Sequence, residues 1–561
     1  MTSTTVFTDA LSGCGLVPLP ASITGLSDSA PTSHQRIWAL QERPALETGA
    51  KSETHIKAPT DAQGGREIIA ALRLRGWNDE GTQLVSPTSS GGKGVRTPLK
   101  VAALTDPTCC AEAYRITCLP ADKVPPANGW DDGLYVQIEA ATPTGFFYGG
   151  LTLAALAGAG LLCEGCVVED SPRFPHRGLM IDVARSFLPL EALRDLIRAT
   201  AILKLNVLHL HLVDDQGWRI EITNDGREPA DSTDYTALHR IGGLSACNPG
   251  TDPGFDLPGA AMSEVLAMNA GFESITAGIP GYYTQEELRD LVTYAAHLHV
   301  RLVPELEFPG HNHVVLHALP HLATAGASTH DQGQGVPPWT RWQVGHSYLD
   351  FNNDDTWRFT RHVMRQVREI FGGEHLHVGG DEALKMLRTL GQDAYDEVVA
   401  RVVAQAKACG FERVTVWQEG AMSLEAPTDS VQLWNYGAAG EVSRLMEAAG
   451  ERKLRIINSD ARHVYLDQKV QVDDVLGLTW ACAEGLPTRQ AYEWDPYEVF
   501  PLPLQEHITG IEACLWSETV RGPQDAAFLI FPRLMAIAEV AWTPQGLRQW
   551  EDFCKRASVT K

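Results

Sequence analysis

The tightest constraint on this chain's fold is an alternation that begins at Gly178 and runs to Glu518. Eight short apolar runs occur in order: GLMIDVA, NVLHLHLV, VRLVPELE, HLHVGG, RVTVWQE, VQLWNY, LRIINSD and ITGIEACLWSE. Amphipathic stretches separate most of them, among them LEALRDLIRATAILK, TQEELRDLVTYAAHL, DTWRFTRHVMRQVREIF and DEVVARVVAQAKACG. A near-continuous apolar run fits a strand covered on both faces, and strand–helix–strand repeats build parallel sheet. Eight such units predict an α/β chain whose strands close into a (β/α)8 TIM barrel.

Ahead of the barrel the pattern is mixed. IWALQERPAL, GREIIAALRLRGW and DGLYVQIEA read as short helices and strands, separated by turns such as SSGGKG. SPRFPHRG carries two prolines and a glycine and marks a junction. The expected domains are a small N-terminal α+β domain over 1–172 and a catalytic barrel over 173–561. The Gly- and Pro-rich insert 222–283 is expected to lie over the barrel mouth. Loops 240–279 and 324–344 are expected to shape binding subsites.

The chain has 561 residues and a formal net charge of −24. That charge argues against a nucleic-acid partner or an anionic membrane surface, both of which call for basic patches. The first twenty residues carry no basic group ahead of a continuous apolar segment, and the apolar run 146–162 is broken by glycines. A cytoplasmic location is therefore expected. The 11 cysteines include a single C-x-x-C at Cys163 and Cys166, too little for a zinc cage, so free thiols are expected.

In a barrel of this kind the chemistry sits at the C-terminal ends of the strands. Those ends carry Asp182 to Arg185, Asp214-Asp215, Glu305 to His311, Asp381-Glu382, Trp417 with Glu419, Trp434 to Tyr436, Ser459-Asp460 and Trp516 to Glu518. The fourth run is the most informative. In HVGGDEAL two glycines let the backbone bend where a Cβ would crowd a ligand, and two carboxylates follow. Like charges this close drive their pKa values apart, so one acid stays protonated while its neighbour is ionised. The plain alternative is that Asp381 caps the helix ALKMLRTL. His209 and His211 form H-x-H on one strand face; they read as barrel-interior groups, with a zinc-dependent amidohydrolase as the rival.

RGLMIDVARSFLP, LKLNVLHLHLVDDQGWRIEI, YYTQEELRDLVTYAAHLHVRLVPELEFPGH, HLHVGGDEAL and IEACLWSE, in this order, resemble the β-N-acetylhexosaminidases of glycoside hydrolase family 20 over 175–544. LVPLPASI and FFYGGLTLAAL resemble that family's preceding small domain. The resemblance implies an exo-acting hydrolase of terminal N-acetylhexosamine residues. Retention would follow from attack by the substrate's own acetamide oxygen. It implies Glu382 as general acid/base and Asp381 as the anion that orients the acetamide. Arg185 would bind ring hydroxyls through its guanidinium fork. Asp214, Asp215 and His311 would support the acid. Trp417, Trp434 and Trp516 would wall the sugar. Tyr465 would bond the acetamide oxygen, and Asp467 and Glu518 the outer hydroxyls.

Trp480 and Trp494 are placed near the loop after strand seven. Glu307 stands where the family commonly has Asp and is set apart from the site. No metal and no cofactor are expected. The partner is an amino-sugar oligosaccharide or glycoconjugate, with a homodimer left open. A disaccharide-releasing lacto-N-biosidase and a non-catalytic amino-sugar-binding protein are the alternatives.

Overall fold

The computed structural model describes residues 6–11, 15, 17–25, 54–57, 64–80, 83–85, 97–106, 108, 110–120, 134–158, 166–248, 277–323 and 336–558. The chain divides into two compact units. One takes Met1–Ala10, His176–Thr200 and Leu205–Ile537; the other takes Leu11–Pro175, Ala201–Lys204 and Ala538–Lys561.

The first unit is a closed barrel of eight parallel strands. They are β1 (His176–Asp182), β2 (Val207–His211), β3 (Arg301–Glu305), β4 (His375–His377), β5 (Arg413–Trp417), β6 (Ser430–Leu433), β7 (Arg455–Asn458) and β8 (Ile508–Leu515). Each overlaps one of the eight apolar runs; β1 begins two residues and β6 one residue ahead of its run. Neighbours pair in sequence order, and β8 closes onto β1 through the register Cys514↔Met180. Every residue of β1 and β2 is buried, as strands enclosed by helices require.

Along β2 the period of two sends Leu208 and Leu210 one way and Val207, His209 and His211 the other. The two histidines meet Glu305 of β3 and, for His209, Glu512 of β8 inside the barrel. The barrel interior is thus charged as well as apolar. Helices cover the outside: α1 (Leu190–Ile202), α2 (Gln285–His297), α3 (Asp354–Phe371), α4 (Gln392–Ala408) and α5 (Ala439–Arg452). α2 opens with a reciprocal capping box between Thr284 and Glu287, legible in the sequence TQEE. α3 opens on Asn353, whose side chain accepts from Asp355 N–H, and closes on Gly372 at φ 84°.

The second unit is a mixed eight-stranded sheet. Its spatial order is Ser22–Gly25, Cys166–Asp170, Tyr114–Pro120, Leu134–Ala140, Thr97–Thr105, Thr54–Lys57, Gln83–Val85 and Asn78–Glu80. Helices Gly65–Leu74 and Pro143–Gly158 pack on each other. The second of these takes up residues 146–158 of the glycine-broken apolar run and is buried through Leu156. Lys204 is buried here, 3.0 Å from Asp170 Oδ2 and 2.7 Å from Tyr114 Oη. IWALQERPAL and SSGGKG lie outside the described residues, as do parts of the two predicted subsite loops. Among the described residues no helix is long and apolar enough to cross a membrane, and Cys110, Cys118, Cys247, Cys409, Cys482 and Cys514 are free thiols.

Candidate active site

β4 ends at His377, and the chain then turns through Gly379 (φ 67°) and Gly380 (φ 105°). A Cβ on Gly379 would lie 1.8 Å from Glu307 Oε2, so only glycine fits. Tyr395 of α4 donates its hydroxyl to the Gly380 carbonyl, fixing the turn. Two side-chain-bearing residues next to it are held in the left-handed region: Glu382 at φ 46° and His311 at φ 51°. Such strain persists only where surrounding structure imposes it, and it concentrates at functional sites. The following helix, Leu384–Leu390, starts from Ala383 with no side-chain cap. Asp381 is therefore not its N-cap.

Asp381 is buried, while the Glu382 side chain keeps 31% of its surface exposed. His311 Nε2 is 3.6 Å from Asp381 Oδ2 and 3.6 Å from Glu382 Oε2. On its other side His311 Nδ1 is 3.2 Å from Asp214 Oδ1. Asp214 Oδ2 also receives Arg185 Nη2 and His211 Nε2, each at 2.8 Å. Arg185 is no surface ion pair: it is 3% exposed, with Nε donating to Gln216 at 2.9 Å. Asp182 holds the backbone that presents it, accepting from the amides of Ala184 and Arg185. Asp215 turns aside to accept from His313 N–H at 2.9 Å, anchoring the loop behind His311.

These contacts set the protonation states. Burial pushes the Glu382 carboxyl up to about 7, with Asp381 adding to the shift and His311 opposing it. Burial also raises Asp381, again against His311. Asp214 goes the other way: despite burial, Arg185 and His311 hold it well below the usual carboxylate range. Although burial disfavours its charge, His311 is held well above its ordinary value by Asp214 and Asp381. The arrangement offers a protonated acid at the cavity edge, a buried carboxylate beside it, and an imidazolium between them and Asp214.

The aromatic residues gather into one cluster with Tyr465, Trp417 and Met180 at its buried side. Trp417 is fully buried, a floor and not an open platform. Its ring lies 6.0 Å from Trp516; Trp434 stacks parallel to Tyr465 at 6.5 Å. Arg185 sits 5.1 Å over the Trp516 ring. Trp480 joins this box, 5.7 Å from Tyr465 and 5.8 Å from Trp434, and donates Nε1–H to Asp467 Oδ2 at 3.0 Å. Trp494 does not; it stacks on His463. Asp467 Oδ1, Glu518 Oε2 and Asp381 Oδ1 are buried without a protein hydrogen-bond partner. Burial raises Asp467 to about 7 and raises Glu518 as well.

Sequence reasoning passed over several residues of the site. Glu307, set apart on the sequence, lies within it: its buried carboxyl is 3.6 Å from His211 Nδ1, and burial together with Asp381 keeps it protonated far above the usual range. Its spacing of two from Glu305 was the available signal, since both then face the barrel interior. Gln216 was not singled out at all, and Glu305 and Glu419, named on the sequence only as strand-end residues, bond Trp417 and Trp434 at 2.8 and 3.2 Å.

Four groups of His, Asp and Glu bring ligand-type atoms within 4.8 Å of one another: His209–Glu305–His377, His211–Glu305–Glu307, Asp214–Asp215–His311 and His311–Asp381–Glu382. Their imidazoles are committed to carboxylates instead. Against the cost of burial, Glu305 raises His209 to about 9 and His211 to about 10, while burial lowers His377.

Known proteins share this fold and these motifs. The catalytic-domain model of glycosyl hydrolase family 20 matches residues 174–545. A β-N-acetylhexosaminidase from Cellulomonas fimi is 31% identical over 427 residues, covering 75% of each chain. A β-hexosaminidase from Akkermansia muciniphila is 28% identical over 477 residues, covering 80% of this chain and 83% of that one. Among solved structures, the family 20 β-N-acetylhexosaminidase from Streptomyces coelicolor superposes with a TM-score of 0.72 at 26% identity, covering 98% of this chain and 94% of its own. A Streptomyces plicatus β-hexosaminidase variant in complex with its product GlcNAc gives 0.71 at 25% identity, covering 99% and 94%. The match over residues 174–545, which takes in all eight strands of the barrel, places this chain in glycosyl hydrolase family 20.

Proposed function

We propose that this β-N-acetylhexosaminidase is exo-acting and cuts single terminal N-acetylhexosamine residues from glycans with retention, the substrate's acetamide serving as nucleophile. The observation that carries the reading is the contrast between neighbours. Glu382, its side chain 31% exposed, holds its proton up to about pH 7, while Asp381 is buried with one oxygen unpaired.

In the first step the acetamide carbonyl oxygen bonds to C1 as the glycosidic C–O bond breaks. Glu382 gives its proton to the leaving oxygen. Asp381 accepts the amide N–H and offsets the positive charge that develops on the oxazolinium-like ring. In the second step Glu382 takes a proton from water, which attacks C1 from the vacated face and reopens the ring. Two inversions leave the configuration unchanged. Arg185, Asp467 and Glu518 supply charged and unpaired groups for the sugar hydroxyls, and Trp417, Trp434, Trp516 and Tyr465 supply apolar faces for its C–H groups and the acetyl methyl. Asp214, Asp215 and His311 support the acid. The GlcNAc product bound by the Streptomyces plicatus relative supports GlcNAc-containing substrates here.

The test is a panel of aryl N-acetylglucosaminides and N-acetylgalactosaminides against the matching glycosides with a 2-hydroxyl. Turnover confined to the acetamides, with the β-anomer released first, is expected. Comparable cleavage of the 2-hydroxyl series, or release of the α-anomer, overturns the reading.

A further inference from the structure

Glu305, the last residue of β3, is fully buried and sits where both halves of the site meet. Its Oε1 accepts from Trp417 Nε1–H at 2.8 Å. The same oxygen is 2.8 Å from His377 Nδ1, which also lies 3.1 Å from the Gly379 amide nitrogen. Its Oε2 is 2.5 Å from His211 Nδ1 and 3.2 Å from His209 Nε2. Four ring nitrogens therefore lie close to one carboxylate, and two of them, Trp417 Nε1 and His211 Nδ1, donate to it, one on each oxygen. A carboxylate accepts on both oxygens at once; an amide has one acceptor oxygen and would turn its N–H₂ toward one of the two donors.

Two paths leave this hub. Through Oε1 it fixes the only polar atom of Trp417, and with it the rotation of the ring that floors the aromatic box. Through Oε2 it fixes His211, whose Nε2 reaches Asp214 at 2.8 Å; Asp214 reaches His311 at 3.2 Å, and His311 stands 3.6 Å from both catalytic carboxyls. Glu307, 3.6 Å from His211, Arg185, on Asp214, and Asp215, 4.0 Å from His311, also face this path.

We infer that Glu305 is a positioning residue that locks the acetamide-pocket floor and the His211–Asp214–His311 support of the acid into one register, an inference resting on the function proposed above. It touches no substrate. Its part is to make the geometry for acetamide attack and the geometry for proton delivery arise together, so that the cyclised state is favoured over the merely bound sugar.

The test is Glu305→Gln, with four readouts: kcat on an aryl N-acetylglucosaminide, affinity for a thiazoline mimic of the cyclised intermediate, affinity for free GlcNAc, and the NMR titration of the His211 ring. Misplacement on the ångström scale costs about 10²-fold in rate. A loss of that order in kcat is expected, with thiazoline affinity falling in parallel and GlcNAc affinity held within about threefold. His211 should titrate at lower pH in the variant than in the wild type, because the Glu305 charge that holds its proton is gone. A kcat within about threefold of wild type overturns the inference, and so does an equal loss in all affinities with no change at His211, which marks a purely architectural role.

Should Glu305→Gln not accumulate folded, Trp417→Phe and His211→Asn each cut one arm. Coupled arms give a double variant that loses less than the product of the single losses; multiplicative losses overturn the inference. Wild-type selectivity for the acetamide over the 2-hydroxyl substrate, measured alongside, tests the proposed function separately.

Discussion

His311 Nε2 stands 3.6 Å from the Glu382 carboxylate, and both residues hold positive φ angles. The imidazolium opposes the burial that would otherwise raise Glu382 further. It keeps the acid strong enough to donate a proton while leaving it protonated near neutral pH.

Removing that cation has a signed consequence. His311→Asn should raise the Glu382 pKa above its value of about 7. The alkaline limb of kcat/KM, set by loss of the Glu382 proton, should move to higher pH while kcat falls, because the stronger hold on the proton makes donation harder. A pH–rate profile of the variant checks this; an unmoved limb counts against the contact.

Glu382→Gln removes the proton donor but leaves the nucleophile in the substrate. Loss should reach about 10²–10⁴-fold on poor leaving groups and shrink markedly on activated aryl glycosides, where little protonation is needed. Kinetics across a series of aryl leaving groups, plotted against their acidity, should steepen in the variant. Equal loss throughout contradicts the acid role.

Asp381→Asn keeps shape and removes charge from the acetamide clamp. A kcat loss of about 10²-fold or more is expected, with thermal unfolding close to wild type, since the lost interaction develops in the transition state. Differential scanning calorimetry beside steady-state kinetics separates the two.

The raised pKa of Glu382 also bears on stability. A carboxyl whose folded value of about 7 exceeds its ordinary 4.5 contributes stability that is full below pH 4.5 and is lost as pH rises through 7. Glu382→Gln removes this dependence. The variant should unfold at a temperature a few degrees above wild type at pH 8, with no such advantage below pH 4.5, as read from melts at both pH values.

The barrel was legible because its strands are apolar on both faces and its helices carry their own caps: β2, for example, is NVLHLHLV, and α2 opens with a capping box. The adjacent carboxyls were legible as a motif whose glycines have a steric reason, seen in the clash a Cβ at Gly379 would have with Glu307. Less legible was anything that depends on contacts across the barrel. Glu305 and Glu307 share one motif, yet one is an anion among four ring nitrogens and the other a buried neutral acid; that difference comes from β2, β4 and β5, far away in sequence. Trp480 enters the aromatic box and Trp494 stacks on His463, although both follow β7 at short range. A tryptophan's neighbours are set by the path of the loop, which local pattern does not encode.

The central claim is that the substrate brings its own nucleophile. Progressive fluorination of the acetamide methyl weakens the carbonyl oxygen as a nucleophile while barely changing the sugar. The rate of an aryl glycoside series bearing acetyl, fluoroacetyl, difluoroacetyl and trifluoroacetyl groups measures this directly. The account predicts a steep fall in kcat/KM with each fluorine; a flat series would show that the acetamide does not attack.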